Sequence, residues 1–376
     1  MIPRIYQNLE EYLEPGKVLV LYGPRQVGKT TLLEHFLSRV SLKYRLDTGD
    51  DMRIKDLFLS RSLDKLLDYA GGYELVAIDE AQKVLYIGEG LKMLVDKRPS
   101  LKIIVTGSSS FSLSGQIGEP LTGRKNTLVL FPISLLELRG IYNNYELEKK
   151  LEDFLVFGLY PEVLTAEDKK KRIRRIEEIA HSYLFKDILE MERIKNPRIL
   201  TDLLRLLAFQ IGKEVSFHEL ASSLSVDSKT IAKYIDLLEK TFIIFNVRGF
   251  SRNLRKEITK KSKYYFYDNG IRNALIANFN PLELRNDAGM LWENFVFIER
   301  MKKRNYKFMV SNVYFWRTWQ KEEVDMVEER GGKLFGYEFK WSTKKKTLKP
   351  PRNWKESYPE ASFEVITPDN YIDFIT

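Results

Sequence analysis

The chain of 376 residues contains no cysteine. Disulfides, thiolate nucleophiles and Cys-ligated zinc or iron–sulfur centres are therefore excluded. Histidine is scarce. Only His35, His181 and His218 occur, far apart and in no metal-ligand spacing, so no histidine-based metal site is expected. No apolar run reaches the about 18–20 residues that span a bilayer. Met1-Ile2-Pro3-Arg4 lacks a signal-peptide pattern. These features predict a soluble cytoplasmic protein with no membrane partner. Internal repeats and low-complexity linkers are also missing.

What is present is an ordinary globular composition, 44% hydrophobic and 30% charged. Lys+Arg of 61 against Asp+Glu of 52 leaves a net charge of +9. That excess favours phosphate-rich partners, nucleotide or nucleic acid, although a modest positive charge also serves solubility. At roughly 100–200 residues per domain the length predicts two or three domains. Short apolar runs at Val18–Leu21, Tyr44–Leu46, Leu75–Ile78, Ile103–Val105 and Thr127–Leu130 alternate with helical patterns. This predicts a parallel sheet covered on both faces. From about 135 to 240 the period is helical, with Leu200, Leu203, Leu204, Leu207 and Ala208 on one face. From about 264 strands return around a long helix over Met290–Met301, which predicts a second α/β unit.

Gly23-Pro24-Arg25-Gln26-Val27-Gly28-Lys29-Thr30 matches G-x-x-x-x-G-K-[ST] in full, between a strand (Lys17–Tyr22) and a helical pattern (Thr31–Phe36). Glycines let backbone N–H groups close around phosphate oxygens, and the helix N-terminus adds its dipole. Lys29 is placed to reach the β/γ-phosphates of ATP, and the Thr30 hydroxyl to hold Mg²⁺. The candidate nucleotide set is Gly23, Pro24, Arg25, Gln26, Val27, Gly28, Lys29, Thr30 and Thr31, with Asp79 and Ser108.

The strand Leu75–Ile78 ends in Asp79-Glu80. Asp79 is expected at the Mg²⁺ and Glu80 as the group that orients and activates the attacking water. Ile103–Val105 leads into Thr106-Gly107-Ser108. Ser108, with Thr106 second, is the candidate hydroxyl near the γ-phosphate, against a plain Ser-rich turn. Arg124, before the last strand, could stabilise γ-phosphate charge in cis or from a neighbouring subunit, or be a surface arginine.

Together these residues resemble an AAA-type ATPase. Ile78-Asp79-Glu80-Ala81-Gln82, Thr106–Ser109 and the stretch from Leu121-Thr122-Gly123-Arg124 to Phe131-Pro132-Ile133-Ser134 narrow the resemblance to one archaeal and bacterial family. Its members carry an N-terminal AAA core and a C-terminal domain long described as of unknown function. The resemblance covers nearly the whole chain.

In the middle segment Val215–Ala221 reads as a helix, Ser225–Ser228 as a turn with N-cap residues, and Lys229–Lys240 as a second helix. With Phe242–Phe245 opening a wing, the pattern is that of a winged helix-turn-helix. The family resemblance implies the same. Lys229, Lys233 and Lys240 could face DNA phosphates, or the unit could pack and regulate. Arg248, Arg252, Arg255, Lys256, Lys260, Lys261 and Lys263 form a basic strip beside aromatic residues, which suits nucleic acid. Tyr264–Tyr267 themselves read as core strand residues.

Near the C-terminus Asp325 and the return-strand pair Glu338 and Lys340 flank an Arg330-Gly331-Gly332 turn. Glu338 and Lys340 are two apart, hence on one face of a strand. Asp325 and Glu338, with Glu293 from the preceding helix, are candidate ligands for Mg²⁺ or Mn²⁺. Lys340 is the candidate residue for positioning or deprotonating a water. The arrangement resembles the restriction-endonuclease-like, or PD-(D/E)xK, core. A solvated charged hairpin and a nuclease-like fold without activity are the alternatives.

The expected architecture is α/β. Residues 1–140 form a P-loop AAA-type core, 141–200 a helical segment, 201–268 a winged helix and 269–376 a restriction-endonuclease-like domain. The expected function is ATP binding and hydrolysis coupled to DNA, with a homo-oligomer or protein partner possible. The alternative is an ATP-switched regulator or scaffold with a silent nuclease-like domain. Two substitutions test the nucleotide assignments. Lys29→Ala is expected to abolish nucleotide binding, measured by titration. Glu80→Gln is expected to bind ATP and fail to turn it over, and normal turnover in that variant refutes the assignment of the base.

Overall fold

The computed structural model describes residues 2–107, 120–182, 196–250, 262–342 and 349–376. Ser108, Arg252, Arg255, Lys256, Lys260 and Lys261 lie outside the described residues. The chain forms two compact units. One comprises residues 3–131 with Lys240–Phe242, the other residues 132–239 and 243–376.

The first unit is built on five strands, β1 (Val18–Tyr22), β2 (Tyr44–Thr48), β3 (Leu75–Asp79), β4 (Lys102–Gly107) and β5 (Lys125–Val129). They lie in the order β2-β3-β4-β1-β5, and every neighbouring pair is parallel. Val18, Val20, Val76, Ile78, Ile103 and Val105 share one buried cluster with Phe58, Leu66, Leu91 and Leu94. The last four come from helices α2 (Met52–Leu59), α3 (Leu63–Ala70) and α4 (Ile87–Lys97), which follow α1 (Lys29–Leu37). The alternate residues Leu19, Leu21, Ala77 and Ile104 are equally buried. Both faces of the sheet are thus covered, which is why these strands read as continuous apolar runs. The expected parallel sheet, with the phosphate loop after its first strand, is the one found.

The second unit holds a mixed seven-stranded sheet. Its strands are β6 (Glu214–Val215), β7 (Ile244–Gly249), β8 (Ser262–Phe266), β9 (Asn312–Arg317), β10 (Glu323–Arg330), β11 (Lys333–Phe339) and β12 (Ser362–Ile366). The order is β12-β11-β10-β9-β7-β8-β6. β7 joins β9 in parallel through Arg248↔Tyr314 and Gly249↔Phe315. The strands that follow the helix pair and those of the C-terminal hairpin therefore belong to one hydrogen-bonded sheet.

The helix pair is Phe217–Leu224 and Ser228–Lys240. Val215 does not begin the first helix as expected, because it pairs with Ser262 in β6. Ser216 caps the helix instead, its hydroxyl accepting from the Glu219 N–H. In the second helix Ile231, Tyr234, Ile235 and Leu238 are buried, while Lys229 and Lys233 are exposed. The long helix extends beyond the expected Met290–Met301 at both ends, over Ala288–Tyr306.

Asp268 ties this unit together. Its carboxylate caps the helix Asn269–Leu275 through the Ile271 N–H and accepts from the Leu159 N–H at 2.7 Å. Burial pushes its carboxyl up to about 6, although these N–H donors and Lys302 act the other way. A carboxyl raised on folding stabilises fully below its unfolded value, and that contribution is lost as pH rises through the folded one. Between pH 5 and 7 this group should cost the wild type on the order of 1 kcal/mol. Denaturant titrations at the two pH values should show Asp268→Asn without that part of the decline.

Candidate functional site: a phosphate loop and a carboxylate hairpin

The turn after β1 has no room for a side chain at its first residue. Gly23 has φ +151, and a Cβ there would stand 2.0 Å from the Leu130 carbonyl oxygen. The Leu130 N–H in turn donates to Tyr22 O at 2.8 Å, which fixes the approach. Gly28 has φ +94 and starts α1. Lys29 is 5% exposed, and its ammonium donates to the Gly23 and Pro24 carbonyls at 2.9 and 2.6 Å. The cation is thus folded onto the loop whose phosphate it is expected to contact. Thr30 and Thr31 are on the exposed side of α1.

Asp79 and Thr30 meet as expected of a shared Mg²⁺ site, the Thr30 hydroxyl donating to Asp79 Oδ2 at 2.8 Å. The other Asp79 oxygen accepts from the Thr106 hydroxyl. Thr106 also accepts from the Glu80 N–H at 3.2 Å. One hydroxyl at the end of β4 therefore aligns both acidic residues at the end of β3. Glu80 is held in the left-handed region, φ +51. Its carboxylate accepts from Gln82 Nε2 at 2.7 Å and lies 3.5 Å from Lys83 Nζ.

Sequence reasoning missed Arg4. It is 5% exposed, and its guanidinium donates to the carbonyls of Val27, inside the loop, and Phe131, the latter at 2.6 Å. No motif marks an arginine so far ahead of β1. Arg124 corrects an expectation. Its backbone carbonyl accepts from the Val18 N–H at 2.9 Å, and Val18↔Lys125 begins the β1–β5 register. Arg124 therefore stands at the opposite end of β1 from Gly23, about 16 Å away for five residues of strand. Its guanidinium pairs with Asp96 in α4. The cis arrangement on this chain's own γ-phosphate is excluded by that placement.

In the second unit β10 and β11 form a hairpin closed at Arg330↔Lys333 by Gly331 and Gly332, with φ +54 and +74. Asp325 is 7% exposed, and its Oδ2 accepts from the Phe339 N–H at 2.8 Å. Glu338 accepts from Lys340 Nζ through Oε1. Its Oε2 is buried and has no hydrogen-bond partner. Glu293 reaches the same place from the long helix, its Oε1 accepting from the Tyr265 hydroxyl at 2.7 Å. All four predicted residues are thus assembled. Burial, reinforced by Asp325, pushes Glu293 up to about 8 and Glu338 up to about 7, while burial also raises Asp325.

Lys263 is a second correction. Expected on a basic strip for nucleic acid, it is only 2% exposed. Its ammonium bonds Glu323 and lies 3.6 Å from Glu293 Oε1. Alternation along the aromatic strand already places residue 263 on the same face as Tyr265, but nothing in the sequence says which face meets the carboxylates. The orphaned Glu338 Oε2 fits a cation ligand, and the donors are the hard oxygens that Mg²⁺ or Mn²⁺ prefers. Among the described residues no group of three or more His, Asp or Glu side chains is arranged to hold a metal ion as it stands.

Residues 15–139 match the family model described as an AAA domain. The N-terminal unit carries an AAA-type P-loop ATPase domain. ATP binding and hydrolysis follow for this AAA domain. Residues 148–282 and 288–373 match two further models, each described as a domain of unknown function, DUF8612 and DUF4143. An uncharacterized protein of Mycobacterium tuberculosis, Rv2008c, is 27% identical over 337 residues, covering 89% of this chain and 72% of that protein. An uncharacterized protein of Methanocaldococcus jannaschii, MJ1544, is 26% identical, covering 86% and 74%. Among solved structures a Walker-type ATPase of Pyrococcus abyssi aligns with 73% of this chain and 96% of its own, at 18% identity and a TM-score of 0.47. No described helix is long and apolar enough to cross a membrane.

Arg4 generates a prediction for the AAA domain. Arg4→Met leaves the buried Val27 and Phe131 carbonyls without their donor, a loss of about 1–3 kcal/mol. Thermal unfolding should shift down. ATP affinity should fall several-fold because the loop loses its brace, while Arg124→Met leaves affinity for ATP unchanged.

Proposed function

We propose that this chain is an ATP-hydrolysing protein that acts on DNA through a metal-dependent nuclease-like site in its C-terminal unit. The observation that carries this reading is the assembly of Glu293, Asp325, Glu338 and Lys340 in one cluster, with Glu338 Oε2 buried and unpartnered. In the AAA domain Lys29 would leave its two carbonyls for the β/γ-phosphates, Thr30 and Asp79 would hold Mg²⁺, and Glu80 would orient the attacking water. Glu80 is suited to that role because Thr106 fixes its N–H and Gln82 its carboxylate. Arg124 stands at the far end of the strands from its own phosphate loop, which supports a role at a neighbouring copy's ATP site over one in cis. This favours a homo-oligomer in which one chain completes the ATP site of the next. Ser108 keeps its assignment near the γ-phosphate as part of this proposal.

In the C-terminal unit Asp325 and Glu338 would hold the divalent cation. Such a cation would polarise a phosphodiester oxygen and favour ionisation of a bound water. Lys340, bonded to Glu338, offsets the charge that develops on the phosphate. The helix pair Phe217–Leu224 and Ser228–Lys240, with strands β6–β8, supports a winged-helix reading. Lys229 and Lys233 are on its exposed side and suit contact with phosphates.

A second reading rests on a different observation. Lys263 already neutralises part of the cluster, which favours an ATP-switched regulator whose nuclease-like domain is silent. One assay separates the two. Single-stranded, duplex and supercoiled DNA are incubated with Mg²⁺ or Mn²⁺, with and without ATP. On the first reading the wild type cleaves and Lys340→Ala loses at least a hundredfold in rate. Absence of cleavage by a wild type with intact ATPase activity supports the switch.

A further inference from the structure

Helices Asn144–Lys149, Leu151–Phe157 and Lys169–Ser182 of the second unit carry a concave surface that neither candidate site uses. Two clefts adjoin there, of about 300 and 240 Å³, and Asp153, Phe157 and Arg172 line both. Each cleft repeats one combination of groups. In the larger, the Lys150 ammonium lies 5.1 Å from the centre of the half-buried Tyr142 ring. In the smaller, the half-buried Phe279 ring lies parallel to Phe157 at 6.1 Å, and Lys149 and Lys169 line the same cleft. The Arg172 guanidinium, 5.7 Å from the Phe157 ring, stands where the two clefts meet.

The acidic groups of these clefts are already engaged. Asp153 pairs with Arg172 at 2.7 Å, and Glu152 Oε1 accepts from the Leu282 N–H at 3.1 Å. Lys149, Lys150 and Lys169 have no carboxylate partner among the described residues, and Lys149 lies instead over the exposed Tyr145 ring at 4.5 Å. One surface lysine without a carboxylate is ordinary. Here three line connected clefts with aromatic walls. Ammonium groups supply contacts for phosphate, and ring faces supply platforms for stacking. A duplex keeps its base faces stacked inside and presents its phosphates, whereas a single strand presents both.

We propose that these clefts bind single-stranded nucleic acid, with consecutive bases against Tyr142 and Phe279 and the flanking phosphates on Lys149, Lys150 and Lys169. The occupant is a strand rather than a free nucleotide because two like positions adjoin at Arg172. The site uses no residue of the carboxylate cluster or of the helix pair. It therefore stands whether or not the C-terminal unit cleaves DNA.

The test is binding of a fluorescein-labelled oligothymidylate of about 12 nucleotides to the full-length protein, followed by anisotropy across a salt series in EDTA. The triple variant Lys149→Ala, Lys150→Ala, Lys169→Ala should bind more weakly. Its log–log salt dependence should be shallower by about 2, for three phosphate contacts at about 0.7 each. Phe279→Leu should lose about tenfold in affinity at the wild-type salt slope, because it removes a stacking face and no charge. Should that variant fail to fold, Tyr142→Leu supplies the same readout from the other cleft. Wild-type affinity and slope in the triple variant overturn the inference, as does a wild type that does not bind the strand. An equal loss of duplex binding in Phe279→Leu also overturns it, since stacking is then not what is read. Displacement of the strand by thymidine monophosphate at equal nucleotide concentration overturns it as well, and makes the clefts a site for single nucleotides.

Discussion

A charge removed from water must find a partner, and much of this molecule's interior is arranged around that requirement. In the AAA domain Lys29 rests on two loop carbonyls, and Asp79 on two hydroxyls. In the second unit Arg300 forks onto Glu328, which is fully buried, at 2.7 and 2.9 Å. Lys302 lies between Glu299 and the Ile133 carbonyl. The structural pairs are closed, with donor matched to acceptor. The two candidate sites differ in kind. In each, a group is held by contacts that a ligand can replace, or, at Glu338, one oxygen is left without a partner.

That difference separates scaffold from site within the same sheet. β10 carries Asp325 in the carboxylate cluster and, three residues on, Glu328 against Arg300. The irregular pairing of β10 with β9, between Val324 and Val327, contains Asp325 and ends just before Glu328. A bulge turns a side chain that strict alternation would place elsewhere. The backbone irregularity and the candidate carboxylate coincide, as they do at Glu80, whose left-handed conformation follows the end of β3.

The phosphate loop was legible because its chemistry is local. Eight consecutive residues, a strand before and a helix after, specify the cradle, and the same short range covers Asp79-Glu80. The strands β1, β3 and β4 were legible because burial on both faces leaves unbroken apolar runs. Arg4 and Thr106 were harder to read. Each acts across the chain, on Val27 and Phe131 in one case and on Asp79 and Glu80 in the other. Val215 misled because a two-residue strand has no periodicity, and its partner Ser262 is distant in sequence.

The sequence by itself determined the motif chemistry: a phosphate loop, an acidic strand end, and a carboxylate–lysine hairpin with its glycine turn. These depend on residues close together in the chain, where spacing alone dictates geometry. Only the tertiary structure decided which charges face each other. The parallel register of β5 on β1 places Arg124 at the opposite end of the strands from its own phosphate loop, and the β8 register turns Lys263 inward onto Glu293 and Glu323. The physical reason is that electrostatic partners are chosen by distance through space, and pairing between remote strands sets that distance.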